Sequence, residues 1–509
     1  MEFKLKLQRA CSCILFLLIA SHLFVSTTYL FRISEKYNRR HIIGLKEEET
    51  LDMVYIGGST VFPYWQPLKA WNDCGFTSYN YAVNSMRPEM LQYCVQEVLD
   101  TQDPELLVIG IRTFLDWNDA FIESGLRNVS DSMDFFSLNR WKMIRASLNL
   151  RNKDKTEAEM PYYFDIMKYH SNYATILAEP WCWEYRKNRK ELPDKGWEWM
   201  IKYQRLETPD NFLTSKRAEL DEECKRYLQD LLDTCKKSGC QVLFTVSPYL
   251  TSKEHQMQLN TMKDIIEENG FQYLNANEYY EKMDVDFSCD FYNGNHMNCI
   301  GAEKYTEFLE EYIELTYRLT DHRGDVQYDD WNEEYNRFQK EENVARKNTE
   351  VLIKEVQDGI DMAEIMRTTA NAAEWGTLAQ NDAFEVVIVS KGNYPKWDPY
   401  DASILQNIGV DVEVMWEMGR DSAALYADGN LIYLDKNEPY STKFEKQDIF
   451  FSIDSDVLIQ IGETQYCASE DGVYILVLQK NCKKCVADCI GLYKTVEDGV
   501  KLRHLSMQE

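Results

Sequence analysis

The stretch that most constrains the fold is a short apolar run, Val54 to Ile56, which ends in two glycines followed by Ser59 and Thr60. A buried strand with this ending turns sharply at its carboxyl end, where glycine adopts dihedral angles that a Cβ atom disfavours. In an open α/β sheet, this edge is also where ligands bind. The pattern places the Ser59 hydroxyl at a candidate site, and an ordinary glycine-rich strand-to-helix turn is the alternative interpretation.

Predicted strands and helices alternate around this stretch. Further strands are predicted at 78–85, 106–111, 241–245 and 271–274, and helices at 88–99, 219–237, 262–268 and 303–315. This alternation predicts a parallel sheet with right-handed crossovers. Because Asn84, Ser85 and Arg112 stand at the ends of two of these strands, we expect them at the same sheet edge as Ser59.

Residues 114–215 interrupt the alternation with a stretch rich in aromatic residues and mixed charges. We expect a helical insertion that emerges from the carboxyl edge of the sheet, where lids and substrate walls are commonly added. His170 is the ionisable group of this insertion with catalytic potential. A packing histidine held by hydrogen bonds is the simpler interpretation.

A polar loop at 290–298 contains Asp290, Asn293 and His296 and leads into the last predicted helix of the α/β region. A histidine at this position can reach the strand edge that carries Ser59. A serine hydroxyl is a poor nucleophile until a base accepts its proton, and histidine has the pKa for this role near neutral pH. The two distant motifs therefore predict one site that contains Ser59 and His296.

An early serine and a late histidine, with the orienting residue just upstream of the histidine, resemble the SGNH/GDSL hydrolase superfamily over about residues 52–315 without the insertion. The resemblance implies an SGNH-type, flavodoxin-like parallel sheet. It also implies that Ser59 is the nucleophile and His296 the base. An oxyanion donor is expected from the backbone at Asn84 and Ser85, where serine replaces the usual glycine.

Two departures from this family pattern affect the expected activity. Asn293 stands three residues before His296, where aspartate is usual, and the glycine-x-asparagine block is replaced around Arg112. Asparagine can fix the imidazole tautomer but adds no negative charge, and Asp290 is the alternative partner if the loop bends. Losing a triad carboxylate can cost about four orders of magnitude in turnover. Arg112 is expected either to stabilise an oxyanion or anionic substrate group, or to close a salt bridge.

Residues 293–306 resemble the closing motif of membrane-anchored, SGNH-like proteins of Gram-positive bacteria related to the D-alanyl-lipoteichoic-acid transfer protein. This resemblance implies a serine esterase or an acyl- or acetyltransferase that acts on cell-envelope polysaccharide or teichoic acid. It also implies a multi-spanning membrane O-acyltransferase as a partner. The second hypothesis is a weakly active or inactive scaffold that binds glycan or this partner.

The N-terminal residues 10–31 are apolar over the length of a bilayer-crossing helix. We expect an uncleaved signal-anchor, with the N-terminus inside and the body extracytoplasmic. A cleaved secretory signal is the alternative, although the apolar run is long for one and no convincing small-x-small cleavage site follows. A net charge of −28 argues against nucleic-acid binding. Neither a phosphate-binding glycine loop nor metal-ligand spacing occurs, so no cofactor or metal is predicted.

These patterns predict an anchor and stalk at 1–45, an SGNH-like α/β domain at 46–318, a helical connector at 319–375 and a mainly β domain at 376–509. The last domain resembles the β-sandwich of the interleukin-like epithelial-to-mesenchymal inducer at 423–429 and 470–488, and we expect a glycan- or protein-binding module or a structural cap. Cys482, Cys485 and Cys489 are expected in or beside a hairpin turn. They are interpreted as incidental cysteines, a local disulfide, or a redox or metal cluster, although zinc lacks a fourth ligand there.

Overall fold

The computed structural model describes residues 2–31, 44–46, 48, 51–115, 122–151, 159–170, 193–391, 422–427, 430–436, 440–444, 447–453, 456–482, 486–495 and 499–507. The chain forms two compact units. Unit 1 comprises Met1–Lys202 and Glu207–Lys347, and unit 2 comprises Tyr203–Leu206 and Asn348–Glu509.

Unit 1 contains a five-stranded parallel sheet with the strand order β2-β1-β3-β4-β5. The strands are β1 (Met53–Gly57), β2 (Ser78–Ala82), β3 (Leu106–Gly110), β4 (Gln241–Val246) and β5 (Gln272–Asn275). This order is the flavodoxin-like doubly wound arrangement, which places ligand sites beside β1 and β3 at the carboxyl edge. The predicted parallel α/β sheet is therefore confirmed.

The helices of unit 1 precede the first strand of this sheet, connect its strands and follow the last one. They are α1 (Glu2–Phe31), α2 (Pro67–Cys74), α3 (Pro88–Thr101), α4 (Ile122–Ser132), α5 (Leu138–Arg151), α6 (Met160–Tyr163), α7 (Asp165–Tyr169), α8 (Glu222–Ser238), α9 (Lys253–Glu268), α10 (Cys299–Thr316) and the first part of α11 (Asp329–Thr368). All residues of β1, β2 and β3 are buried. Such burial is expected of parallel strands covered by helices on both faces.

Two local differences from the predicted elements have clear causes. Helix α9 begins at Lys253 rather than near 262, because the Ser252 hydroxyl accepts a hydrogen bond from the His255 N–H and caps the first turn. Helix α10 begins at Cys299 because the Asn298 side chain accepts from the N–H groups of Ile300 and Gly301. The second cap fixes the start of the helix three residues after His296.

The interruption predicted at 114–215 contains helices α4 to α7 in its described part. Helix α1, at the other end of unit 1, is long and apolar enough over Lys6–Val25 to cross a membrane. Its side chains in this segment are exposed apart from a few half-buried ones near its end. These features agree with a single membrane-spanning helix before the α/β fold.

Unit 2 is rich in antiparallel β-structure and contains a six-stranded and a four-stranded sheet. The six-stranded sheet comprises β8 (Phe384–Lys391), β9 (Ser422–Ala427), β10 (Asn430–Lys436), β15 (Gly472–Gln479), β16 (Val486–Thr495) and β17 (Gly499–His504). The four-stranded sheet comprises β11 (Tyr440–Phe444), β12 (Gln447–Ile453), β13 (Val457–Ile461) and β14 (Thr464–Ala468). Two further short strands, β6 (Phe291–Asn293) and β7 (His296–Met297), pair with each other and belong to unit 1. The mainly β character of the C-terminal region is thus as predicted.

The two sheets of unit 2 share one hydrophobic core. Val387 and Val389 of β8 pack with Ile449 of β12 and Ile459 of β13. The other face of β8 packs with a second core that includes Trp375 of α12 (Ala372–Ala379). This layering is that of a sandwich with one outer face covered by helix.

Part of the C-terminal prediction, including Cys485, falls outside the described residues. Strands β15 and β16 form the expected antiparallel pair. Cys489 carries a free thiol. Complete burial raises the pKa of the Cys489 thiol well above its usual value, which argues against a reactive role for this cysteine.

Candidate active site

The predicted nucleophile lies in a tight turn directly after β1. Ser59 is half-buried. A Cβ atom on Gly57 would lie 2.6 Å from Val61 Cγ2, whereas one on Gly58 would meet its nearest neighbour only at 3.9 Å. Neither glycine has a positive φ. The expectation that these glycines supply unusual dihedral angles was therefore wrong, and Gly57 is required because Val61 packs against it.

The structure brings Ser59 and His296 together across 237 residues of sequence. Ser59 Oγ lies 3.0 Å from His296 Nε2. His296 is half-buried and begins β7, which pairs with β6 in a small antiparallel hairpin. The hairpin therefore holds the imidazole over the carboxyl end of β1, the geometry that a general base needs.

Asn293 holds the other side of the imidazole. Its Oδ1 accepts a hydrogen bond from the Asn295 N–H at 2.8 Å and lies 3.1 Å from His296 Nδ1. A backbone N–H can only donate, so the atom that receives it must be the amide oxygen. This oxygen then favours the tautomer in which Nδ1 carries the proton, and Nε2 presents its lone pair to Ser59.

Asp290 occupies a different environment. Its Oδ2 accepts from the Asp286 N–H at 2.7 Å and from Lys304 Nζ at 2.9 Å, and its side chain is fully buried. Burial raises the pKa of the Asp290 carboxyl, an effect that Lys304 opposes. The His296 imidazole lies beside Asn293 and not beside Asp290. The geometry therefore does not support the prediction of Asp290 as an alternative partner. Asp290 instead ties the loop to α10.

Arg112 is buried after β3 and holds the loop that carries His296. Its Nη1 donates to the Asn295 backbone oxygen at 2.5 Å, and its Nη2 donates to Asn295 Oδ1 at 2.7 Å. The guanidinium carbon lies 3.8 Å from the centroid of the Tyr249 ring. Cation–π stacking and paired hydrogen bonds fix the guanidinium in one orientation.

A buried tyrosine provides a second attachment for the same loop. The Met297 N–H donates to the Tyr64 hydroxyl at 3.0 Å. This hydroxyl can in turn donate to the Pro248 oxygen at 2.9 Å or to the Asn295 oxygen at 3.1 Å. Burial raises the pKa of Tyr64 above its usual value, so the phenol stays protonated and able to donate.

The predicted oxyanion turn lies next to the end of β1. The Val83 N–H donates to the Gly57 oxygen at 3.3 Å, and Ser85 has a φ of 58°. This left-handed conformation favours glycine and costs a residue with a Cβ atom about 1–2 kcal/mol. Ser85 therefore has the left-handed backbone shape that glycine adopts most easily. Asn84 is held by the insertion, because Asn128 Nδ2 donates to its oxygen at 3.0 Å.

His170 lies outside this constellation. It is exposed at the end of α7, and its Nδ1 lies 3.1 Å from the Met167 oxygen. Within the described part of the chain, no group of three or more histidine, cysteine or acidic side chains is arranged to hold a metal ion.

Sequence reasoning missed three residues that support the site: Tyr64, Asn295 and Tyr292. The Tyr292 ring stacks on the His296 ring with centroids 5.4 Å apart. Asn295 and Tyr292 lie within the recognised loop, but no spacing rule indicates which of its side chains faces Arg112 or the imidazole. Tyr64 carries no signal in the sequence because its partners lie far along the chain.

No protein-family model matches this chain, and no curated protein matches it. The chemistry of the site therefore rests on its own geometry.

Proposed function

We propose that this protein is a membrane-anchored, extracytoplasmic serine esterase or acyltransferase of the SGNH type, with Ser59 as nucleophile and His296 as base. The observation that carries the proposal is the 3.0 Å approach of Ser59 Oγ to His296 Nε2, with Asn293 Oδ1 at the opposite ring nitrogen. Nucleophile, base and orienting group in this order are the requirements for acyl transfer through serine.

The first step follows from this arrangement. His296 Nε2 accepts the Ser59 proton as Oγ forms a bond to the carbonyl carbon of an ester. The carbonyl electrons move to oxygen, and the backbone N–H groups near Ser59 and Ser85 are the proposed donors to this oxyanion. Collapse of the intermediate expels the alcohol, which takes the proton from His296 and leaves an acyl group on Ser59.

The second step repeats the chemistry with a new nucleophile. His296 removes a proton from water or from an acceptor hydroxyl as the oxygen of that group attacks the acyl carbon. The bond between Ser59 Oγ and the acyl carbon then breaks, and His296 returns the proton to Oγ. Water as the acceptor gives an esterase, and a sugar or polyol hydroxyl gives a transferase. The degree to which the insertion excludes water decides between these outcomes.

The proposed setting is the outer side of a cell membrane. Helix α1 has the length and composition of a membrane anchor, and the proposed orientation has the N-terminus inside and the body outside. Cell-envelope polysaccharide or teichoic acid is the proposed substrate, and a multi-spanning O-acyltransferase is the proposed partner. We propose that the sandwich of unit 2 is similar to the β-sandwich of the interleukin-like epithelial-to-mesenchymal inducer. Its proposed role in this chain is to bind glycan or protein.

A specific observation favours a second candidate, a scaffold that binds glycan or the acyltransferase without turning over substrate. The group beside His296 Nδ1 is the neutral amide of Asn293. It offers no charge to stabilise an imidazolium ion, which is the contribution of the carboxylate in a complete triad.

Hydrolysis of p-nitrophenyl acetate by the detergent-solubilised full chain separates the two candidates. We expect Ser59→Ala to lower kcat/KM by at least about a hundredfold. Ser238→Ala is the control, because Ser238 lies at the end of α8, before β4 and therefore at the opposite sheet edge. Equal rates in all three proteins would exclude the esterase proposal and leave the scaffold.

A further inference from the structure

The helical insertion exposes several large apolar side chains. Phe136 is 65% exposed, Leu138 73%, Met160 50% and Met167 49%. They come from the start of α5 and the segment before it, from α6 and from α7. Exposed apolar side chains gathered on one structural element mark a surface that contacts something other than water.

An aromatic cluster lies beside these side chains. The Phe135 ring lies 5.2 Å from that of Phe136 and 6.1 Å from that of Trp141. Trp141 in turn lies 5.1 Å from Tyr163 and 5.8 Å from Phe164. Tryptophan and tyrosine are enriched where a membrane protein meets the head-group region of a bilayer.

This cluster meets the membrane-length helix near the end of its apolar segment. Phe24 of α1 lies 5.6 Å from Phe135 and 6.4 Å from Phe164. Phe24 precedes Val25, the last residue of the segment long enough to cross a membrane. The insertion therefore touches α1 at the depth where the hydrocarbon ends and the head groups begin.

Charge on α5 supports the same partner. The helix contains four basic residues and no acidic one, although one of them, Arg140, is completely buried and adds nothing to the surface. Leu138, Lys142 and Arg145 follow i, i+4, i+7 spacing and so share one face. Lys142 and Arg145 are exposed, and neither forms an ion pair with a described residue. Apolar side chains flanked by exposed cations match an anionic lipid surface.

We propose that the surface formed by Phe136, Leu138, Lys142, Arg145, Met160 and Met167, here called the docking surface, lies on the anionic outer leaflet of the membrane that α1 spans. The apolar side chains enter the head-group region, and Lys142 and Arg145 contact lipid phosphates. This inference rests on the membrane anchoring within the proposed function but not on its chemistry.

Docking would place one wall of the candidate site at the bilayer. Helix α4 of the same insertion holds the predicted oxyanion turn through Asn128 and Asn84. A Cβ atom on Gly125 of α4 would lie only 2.2 Å from the backbone oxygen of Ser85, so the helix and this turn are in close contact. The site would thus face substrates carried at the membrane surface.

Site-specific photocrosslinking of the full chain in nanodiscs of phosphatidylglycerol and phosphatidylcholine tests the proposal. p-Benzoylphenylalanine is placed at Leu138, at Leu17 of α1 as an anchoring control, and at Leu315 as a matched control. Leu315 is 75% exposed and Leu138 73%, but Leu315 lies near the far end of α10, about 24 Å along the helix from Cys299.

We expect lipid adducts at positions 17 and 138, and at least about tenfold fewer at 315. The double variant Lys142→Glu, Arg145→Glu should lower the yield at 138 about fivefold or more, because each basic side chain near an anionic surface contributes to binding. The yield at 17 should not change.

Adducts at 17 without adducts at 138 would overturn the docking proposal and leave the anchor intact. Protein adducts at 138 in place of lipid adducts would overturn it in favour of a second copy or a protein partner. Absence of lipid adducts at 17 would contradict both the proposed membrane anchoring and the proposed docking. None of these results depends on Ser59, so loss of esterase activity would be a separate finding.

Discussion

Arg112 donates two hydrogen bonds to Asn295, at 2.5 Å to the backbone oxygen and at 2.7 Å to the side-chain oxygen. Because Asn295 directly precedes His296, these bonds fix the position of the proposed base. Neither sequence-based interpretation of Arg112, as an oxyanion donor or as a salt bridge at a strand end, includes this role. The geometry makes Arg112 a positioning residue.

Arg112→Lys keeps the charge and loses the paired hydrogen bonds. We expect kcat for a neutral ester to fall about 10- to 100-fold, because small displacements of a catalytic group have effects of this size. KM should change little. Steady-state kinetics with a neutral and an anionic ester check the prediction, and a rise in KM confined to the anionic ester would assign Arg112 to substrate binding.

Asn293→Asp should increase turnover. The new carboxylate would keep the hydrogen bond to the Asn295 N–H and place a negative charge about 3.1 Å from the ring nitrogen that Asn293 now faces. The gain has an upper limit of about four orders of magnitude, the cost of the reverse change in a serine protease. Asn293→Ala should lower kcat instead. If both variants matched the parent protein, Asn293 would have no part in orienting His296.

Gly57→Ala should destabilise unit 1 by about 1–3 kcal/mol, because its Cβ would lie 2.6 Å from Val61 Cγ2. Gly58→Ala is the matched control, since its nearest neighbours lie at 3.9 Å. Thermal unfolding of both variants measures the difference. Equal melting temperatures would contradict the packing explanation for Gly57.

Glu310 should make stability depend on pH. Burial raises the pKa of Glu310 to about 8, and nearby Asp73 acts in the same direction, while Lys69 opposes both. The folded state therefore holds this proton more tightly than the unfolded state does. Its contribution to stability is complete below pH 4.5, the ordinary pKa, and is lost as pH rises towards 8, by up to about 1.4 kcal/mol per pH unit.

Glu310→Gln should flatten this dependence between pH 5 and pH 9, as measured by melting temperature. Glu311→Gln is the control on the same helix, because Glu311 is exposed and pairs with Lys282 at the surface. A dependence as steep in Glu310→Gln as in the parent protein would show that another group causes it.

Local patterns were sufficient to predict the sheet, because the strands 53–57 and 106–110 are buried on both faces and read as continuous apolar runs. They were also sufficient to pair Ser59 with His296, since strand ends and the last loop of such a fold meet at one edge. The supporting contacts were not predictable. Tyr64 and Arg112 act through partners more than 180 residues away, and only tertiary packing selects those partners.

The position of Asp290 could not be predicted from sequence spacing either. A carboxylate six residues before a histidine is within reach of it if the loop bends, and sequence spacing cannot exclude that bend. In the structure, Lys304 and the Asp286 N–H hold the Asp290 carboxylate behind the loop. Glycine at position 301 permits this packing, because a Cβ atom there would lie 2.4 Å from the backbone oxygen of Asp290.

The most direct test of the central claim is covalent labelling of the full chain with a fluorophosphonate, read by intact-protein and peptide mass spectrometry. An activated serine displaces fluoride and gains one phosphonyl group. We expect one adduct per chain, located on Ser59, absent in Ser59→Ala and formed much more slowly in His296→Ala. A folded protein that leaves Ser59 unlabelled, or that labels equally well in Ser59→Ala, would contradict it.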